Sequence, residues 1–438
     1  MDHNKLSSNF SRRKFIGIST AALAGIAIVP RHVLGGTGYT APSDQITLGY
    51  IGTGKQGRGT LFRKFIEIPE VRIVAASDVD SQKLADFQKM TSDYYAQQKG
   101  QSTYTGVEAY PDLRGLLASD SVDAVIVATP DHWHAIASIM ACEAGKDVYC
   151  EKPLSLTVKE GRAMVKATRK HDRVFQTGSM QRSWDDFHRA AELVINGYIG
   201  DIKKVTVSVG GPPDACDQPA EAKPDSLNWN LWQGPAPQRE YSSFFAPPIT
   251  WDGWPRWRYC KNYGGGGMTD WGAHMFDIAQ WALGMDDSGP VEVIPPDGKD
   301  YPVLTYHYDS GVPMVREDFG KGNAIRFEGS EGTIEVSRQF LNMPEKLVDQ
   351  KIGENEIHLY KSEDHYRDWL TAIRQRTRPI CDVEVGHRTA TVCTIGNIAY
   401  ELNRPLRWNP KKEKFKGDRE ANKMLGYKPR DFWNGSAS

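Results

Sequence analysis

The chain has no pair of cysteines at C-x-x-C spacing. Its six cysteines, Cys142, Cys150, Cys216, Cys260, Cys381 and Cys393, therefore support neither a zinc ribbon nor a thioredoxin-like motif. Cys216 and Cys260 fall in one loop-rich region and would pair in an oxidising compartment, but buried free thiols are the favoured expectation. An excess of charge of either sign is also missing. Lys and Arg number 54 against 55 Asp and Glu, a net charge of -1, which excludes a nucleic-acid surface and a long-range funnel for acidic substrates. No H-x-x-x-H and no carboxylate cluster accompanies His132 and His134, so no metal site is expected. There is no internal repeat, no low-complexity tract and, beyond the first residues, no apolar run long enough to span a membrane.

What is present begins at the N-terminus. Ser11-Arg12-Arg13-Lys14-Phe15-Ile16 is a twin-arginine pattern, followed over 17–30 by an uncharged, alanine-rich apolar run. That run is short for a membrane span and suits a signal segment, expected over 1–36. Cleavage near Gly35-Gly36 is the expectation, although no A-x-A site follows, and an uncleaved anchor is the alternative. The twin-arginine export machinery, a partner by this reading, carries proteins already folded. A periplasmic or exported protein that uses a nucleotide cofactor must then keep it bound.

Residues 45–78 organise the rest. A short apolar run over 46–51 leads into Gly52-Thr53-Gly54-Lys55-Gln56-Gly57, then a helical segment with Leu61, Phe62, Phe65 and Ile66 on one face, then a second apolar run ending at Asp78. Strand, glycine turn, helix, strand and acidic residue in this order form the dinucleotide fingerprint. Gly52 allows the tight turn, Gly54 lets a pyrophosphate approach the backbone, and Gly57 lets helix and strand pack closely. Lys55 and Gln56 complete the cofactor-binding turn. Asp78 would accept hydrogen bonds from a ribose diol and repel a 2′-phosphate, favouring NAD over NADP, while nearby Lys83 weighs the other way.

Length, 438 residues, predicts two domains. Strand-like runs at 122–128, 147–150 and 174–177 alternate with helical stretches at 80–99, 135–144 and 157–171, which predicts a doubly wound parallel sheet over 44–180. The loop Thr129-Pro130-Asp131-His132-Trp133-His134 lies beyond a strand end and should face the cofactor. A second, α+β domain with a mostly antiparallel sheet is expected over 181–405, with strands at 202–209, 301–308, 322–328 and 332–336 and helices at 185–196, 270–283, 363–377 and 384–402. Residues 406–438 read as an arm. The stretch 211–268 is rich in Trp, Gly and Pro without periodicity, and loops that long usually serve binding. Its tryptophans, in 228–232 and 251–257, suit either stacking on sugar rings or packing the loop down.

Hydride transfer from an alcohol carbon needs a positioned nicotinamide, a base for the hydroxyl proton and a cation for the developing alkoxide. Lys152, in Glu151-Lys152-Pro153 at a strand end, suits the cation. Asp270 and His274, four residues apart on one expected helix, suit the base. The alternative is a helix cap and a core histidine.

These residues resemble the Gfo/Idh/MocA family of NAD(P)-dependent oxidoreductases, through the glycine turn, the 129–134 loop, Glu151-Lys152-Pro153 and Asp270-Trp271-Gly272-Ala273-His274, over roughly 45–405. The resemblance implies a Rossmann domain, an open sheet domain that builds a homodimer or tetramer, and a sugar or glycoside substrate. It implies that Lys152 and His274 act on the reacting hydroxyl, with Asp270 binding substrate or supporting the histidine. Thr129, Pro130, His134 and Glu151 would line the nicotinamide and its ribose, and Gln176 and Arg182 would lie near the substrate. A glycoside hydrolase using NAD transiently, through oxidation, elimination and hydride return, is the alternative function.

Overall fold

The computed structural model describes residues 44–433. The expected signal segment, 1–36, lies outside the described residues, and among those described no helix is long and apolar enough to cross a membrane.

The first sheet has six strands: β1 (Ile46–Ile51), β2 (Val71–Ser77), β3 (Glu108–Tyr110), β4 (Ala124–Val127), β5 (Asp147–Cys150) and β6 (Phe175–Thr177). Their order is β3-β2-β1-β4-β5-β6, and every pairing is parallel. β4, β5 and β6 are buried along their whole length, which is why they read as unbroken apolar runs. Only β3 escaped the sequence reading, because a three-residue edge strand with two exposed residues carries no hydrophobic pattern. The chain order reverses between β1 and β4. At such a switch point two loops splay apart and leave a crevice beyond the strands' C-terminal ends.

The second sheet has nine strands: β7 (Ile202–Ser208), β8 (Glu292–Ile294), β9 (Leu304–His307), β10 (Pro313–Arg316), β11 (Ala324–Gly329), β12 (Thr333–Ser337), β13 (Leu341–Asn342), β14 (Leu406–Asn409) and β15 (Lys414–Phe415). It runs β13-β12-β11-β7-β10-β9-β8-β14-β15. It is antiparallel except where β10 pairs with β7. β14 and β15 come from the stretch expected as an arm, and Phe432 and Trp433 beyond them pack edge-on against Trp133.

The chain also returns to the first sheet late. Helix His365–Gln375 sets Tyr366, Trp369 and Leu370 into the same core as Phe65 and Tyr149. Helix Val383–Leu402 packs on both Val158–Lys170 and Gly272–Ala282. The two sheets are therefore held by shared helices rather than by a hinge alone.

Residues 211–268 are not structureless. A short helix, Trp229–Gln233, and a small core of Leu227, Trp229, Trp232, Tyr241, Phe245, Trp257 and Tyr263 hold them together. Cys216 and Cys260 form a disulfide across this segment, where free thiols were favoured; the other four cysteines are free and buried. The segment is tied onto the loops after β1 and β2. Arg58 Nη2 donates to Ile249 O at 2.9 Å, Lys83 Nζ to Pro247 O at 2.9 Å, and Asn228 N to Val79 O at 2.9 Å. It roofs the crevice.

Arg182 is buried completely and pairs with Asp277 at 2.9 Å and Asp286 at 2.7 Å. Removing one partner of such a pair strands the other charge, so Arg182→Met should cost about 3–5 kcal/mol of folding stability. Denaturant unfolding checks this. A substrate-binding role would instead raise KM in protein of unchanged stability.

Candidate functional site

The glycine turn satisfies the stereochemistry read from it. Gly52 has φ of +91°, and a Cβ there would lie 2.8 Å from the Ala128 backbone. A Cβ on Gly57 would lie 2.4 Å from Gly52 O, so this position fixes helix against strand. A Cβ on Gly54 would meet nothing within 4 Å. The turn is closed behind Gly57 and open in front of Gly54, the side from which a pyrophosphate would approach.

That open side faces a cavity of about 460 Å³ at the switch point, under the roof. Gly52, Gly54, Lys55, Gln56, Asp78, Thr129, Pro130, His134, Glu151, Lys152, Asp270 and His274 all line it. Gly57 stands behind the wall. Gln176 and Arg182 do not reach it. Gln176 is fully buried, with Nε2 donating to His365 O and Oε1 facing Cys381 N. Arg182 is consumed by its ion pairs. Both are held in the protein interior, where no substrate could touch them without displacing a partner.

At the dinucleotide end, Asp78 Oδ2 accepts from Thr53 N at 2.7 Å and Thr53 Oγ1 at 2.9 Å. Lys83 is engaged by Asp80 at 3.3 Å and by Pro247 O. Lys55 reaches up to Asp252 in the roof and lies 5.3 Å from the Trp254 ring. Among the described residues Thr129 Oγ1, buried on the wall, has no partner, an orphan that a bound polar ligand would satisfy. An open glycine turn, a carboxylate at the end of β2 and this hydroxyl fit a dinucleotide.

Past this end, Glu151 accepts from Gln56 Nε2 at 2.8 Å, and burial pushes its carboxyl up. His134 Nδ1 and Nε2 face Pro153 O at 2.8 Å and Thr129 O at 3.0 Å, and burial pushes its pKa down to about 4. The neutral ring carries one N–H and donates to one of these two carbonyls. His132 turns away into the roof core, 2.9 Å from Trp232 O, and among the described residues no group of His, Cys, Asp and Glu could hold a metal ion.

The Lys152 end differs from the expected pairing. One continuous helix was expected over 270–283. The structure has Gly267–Asp270, a break at Trp271, and Gly272–Ala282. The cause is a diverted backbone bond. In an unbroken helix Asp270 O would accept from His274 N. Here it accepts from Lys152 Nζ at 2.8 Å, and His274 N turns to Trp271 O at 3.0 Å. Lys152 Nζ also pairs with Asp270 Oδ1 at 2.7 Å. Burial pushes the Asp270 carboxyl up, but Lys152 and then Arg258, 3.8 Å away, outweigh it and hold the group below its ordinary range. Asp270 thus orients the lysine and not the histidine.

The partner of His274 is Arg338, whose Nη2 lies 3.1 Å from Nε2. Arginine has no lone pair, so Nε2 must be the acceptor and the ring proton sits on Nδ1. Burial, then the charges of Lys152 and Arg338, push the His274 pKa well below the usual value, so the ring is neutral. Arg258 and Arg338 were missed by the sequence reading. Arg258 directly follows a tryptophan-rich run, which was a usable signal; Arg338 sits in a turn between two short strands with no motif around it.

Among families of known proteins, residues 46–179 match the model of an oxidoreductase family's NAD-binding Rossmann fold. Residues 214–435 match that family's C-terminal alpha/beta domain. A myo-inositol 2-dehydrogenase of Thermotoga maritima is 27% identical over 337 residues, covering 73% of this chain and 84% of that protein. Other matches are shorter. An uncharacterized oxidoreductase of Streptococcus pneumoniae is 39% identical over 22% of this chain and 26% of its own length. A glycosyl hydrolase family 109 protein of Shewanella pealeana is 34% identical over 34% of this chain and 35% of its own length. The chain thus spans about a third or less of the length of these two relatives. In fold it is similar to the aldose-aldose oxidoreductase of Caulobacter crescentus, with a TM-score of 0.56 at 20% identity, covering 83% of this chain and 99% of that one. With matches to both domain models spanning most of its length, the chain belongs to the Gfo/Idh/MocA family of oxidoreductases.

Proposed function

We propose that this protein is an NAD-dependent oxidoreductase that moves hydride between a hydroxyl-bearing carbon of a sugar or glycoside and a tightly held nicotinamide. One observation carries the reading: Lys152, Asp270 and His274 open onto the same cavity as the glycine turn. The likeness to a myo-inositol dehydrogenase over most of both chains supports a polyol or sugar hydroxyl.

When bound, the nicotinamide supplies the hydride acceptor or donor. The chain's own residues handle the oxygen and its proton. Lys152, oriented by Asp270, donates to the substrate oxygen and steadies its developing charge. His274 Nε2, whose lone pair Arg338 Nη2 holds in this structure, takes the hydroxyl proton when the substrate hydroxyl displaces that donor. Asp78 favours NAD, and Lys83, the neighbouring cation that would suit a 2′-phosphate, is already engaged by Asp80 and Pro247.

The roof supports tight retention. Its ties to Val79, Arg58 and Lys83 close over the dinucleotide end, and the Cys216–Cys260 bridge fixes its two ends. A disulfide also suits an oxidising compartment, in keeping with export by the twin-arginine pattern at Arg12-Arg13.

The direct test is the near-ultraviolet absorbance of reduced nicotinamide in purified protein, with no cofactor added, before and after sugars. The expected result is a rise that stops when the bound cofactor is spent. Absence of any bound or bindable nicotinamide overturns the reading. Monosaccharide released from a nitrophenyl glycoside without net reduction would give the hydrolase reading instead, which the family 109 relative makes worth testing.

Four further outcomes are expected. Lys152→Met and His274→Asn should each lower kcat by about 10²–10⁴-fold. Because His274 must be neutral to accept a proton and its pKa is depressed, kcat/KM should hold down through pH of about 6.5 and fall only below it; a limb above that value contradicts the assigned base. Gly54→Ala should cut nicotinamide content without lowering the melting temperature of the cofactor-free protein, whereas Gly57→Ala should lower both. Cys216→Ser should cost about 2–4 kcal/mol of stability and speed loss of nicotinamide during gel filtration; unchanged retention would remove the roof from the account.

A further inference from the structure

The cations on the cavity wall are not equivalent. Lys55 pairs with Asp252 at 3.4 Å, Lys83 with Asp80 at 3.3 Å, Lys152 with Asp270 at 2.7 Å and Arg258 with Asp270 at 3.8 Å. Arg338 is different. Among the described residues its hydrogen-bond partners are two neutral groups. Nε and Nη2 donate to Gln181 Oε1 at 3.3 and 3.2 Å, and Nη2 meets His274 Nε2 at 3.1 Å. Its guanidinium lies 4.6 Å from the Trp271 ring and 5.4 Å from that of Trp184, so it is held in position by aromatic faces. Among the described residues Nη1 has no hydrogen-bond partner, and the side chain is open to the cavity.

We propose that the substrate carries a carboxylate and that Arg338 receives it, making this an oxidoreductase of sugar acids or their glycosides. The proposal rests on the oxidoreductase reading above and adds the substrate class.

An arginine cannot shed its charge to suit a neutral ligand, and with Nε and Nη2 engaged by Gln181 and His274 its free Nη1 donates a charge-assisted hydrogen bond to a carboxylate oxygen. Glu151 and Asp270 are the carboxylates whose charge acts on Arg338, and neither is hydrogen-bonded to it. Asp270 is shared between Lys152 and Arg258, while burial pushes the carboxyls of Asp131 and Glu151 up, toward their neutral forms. Orienting His274 does not account for the whole group, since that contact uses a single Nη2 proton and leaves Nη1 free. The balanced charge of the whole chain is no objection. It removes long-range steering, whereas this recognition acts at hydrogen-bond distance and needs one arginine.

The arrangement also links binding to chemistry. Arg338 is one of the charges that depress His274. A carboxylate on its guanidinium offsets that charge and raises the basicity of Nε2, which takes the proton once Arg338 Nη2 releases the ring's lone pair. A neutral sugar gives no such help.

The test compares kcat/KM of the full-length, NAD-loaded protein for D-glucuronate and D-galacturonate with D-glucose and D-galactose, and for their methyl glycosides, with a sulfated hexose as a second anion. The acids should be favoured over their neutral counterparts by about tenfold to a hundredfold. Arg338→Met should erase that ratio, and Arg338→Lys should keep part of it, since charge survives but the planar group held by Gln181 and the aromatic faces does not. Melting temperatures of both variants report folding separately, and thermal shifts with each acid report binding without turnover. If no acid binds wild type more tightly than its neutral counterpart, if the preference survives in Arg338→Met, or if the sulfated hexose outcompetes the uronates, the proposal falls. Neutral hexoses that reduce the cofactor while the acids gain nothing overturn this proposal alone. Absence of bindable nicotinamide overturns the oxidoreductase reading beneath it.

Discussion

The contact on which the site depends is the one between Lys152 and Asp270. The lysine follows β5 of the first sheet, and the aspartate ends a short helix of the second domain. Their 2.7 Å ion pair and the 2.8 Å bond to Asp270 O span the junction of the two domains. Both side chains are largely buried. A charge in that position needs its partner, because an unpaired buried ion costs several kcal/mol. The same contact takes the Asp270 carbonyl out of the helical ladder, breaks the helix at Trp271, and fixes where His274 begins the next one. The lysine's partner and the histidine's direction are thus one geometric decision.

Around this contact the protein divides labour between rigid and covering parts. The parallel sheet and its glycine turn form a floor whose shape is set by backbone stereochemistry. Helices His365–Gln375 and Val383–Leu402 fasten the second domain to that floor through apolar packing. The roof, 211–268, contributes a small aromatic core and a disulfide instead of regular structure. Its tryptophans answer the two roles open to them differently. Trp229 is packing, stacked 4.7 Å from Trp232, while Trp254 is half exposed at the cavity rim and takes Lys55 and Arg258 against its ring.

The electrostatics of the cavity follow from this enclosure. Burial drives His134 and His274 toward neutrality and raises Asp131 and Glu151. Asp270 alone among these carboxylates is held below its ordinary range, because two cations outweigh its burial. The site therefore offers a cationic donor and, beside it, a neutral histidine held by a guanidinium that keeps one nitrogen free. That combination suits an oxygen that gains negative charge as its proton leaves.

The sequence by itself determined the floor. Glycine positions in 52–57 are dictated by local conformation and close approach, and fully buried strands write themselves as apolar runs, so fold class and cofactor turn were legible, as was the gathering of Lys152, Asp270 and His274 on one cavity wall. What pairs with what was not. Helical spacing joined Asp270 to His274, but a side chain 118 residues away in sequence took the aspartate and Arg338 took the histidine. The positions of Gln176 and Arg182 suggested substrate contact, yet both were absorbed by interior partners. The Cys216–Cys260 bridge likewise depends on two loop ends meeting. Spacing along a chain fixes local geometry only; long-range pairing is set by which groups tertiary packing brings within a few ångströms, and that is decided by burial across the whole molecule.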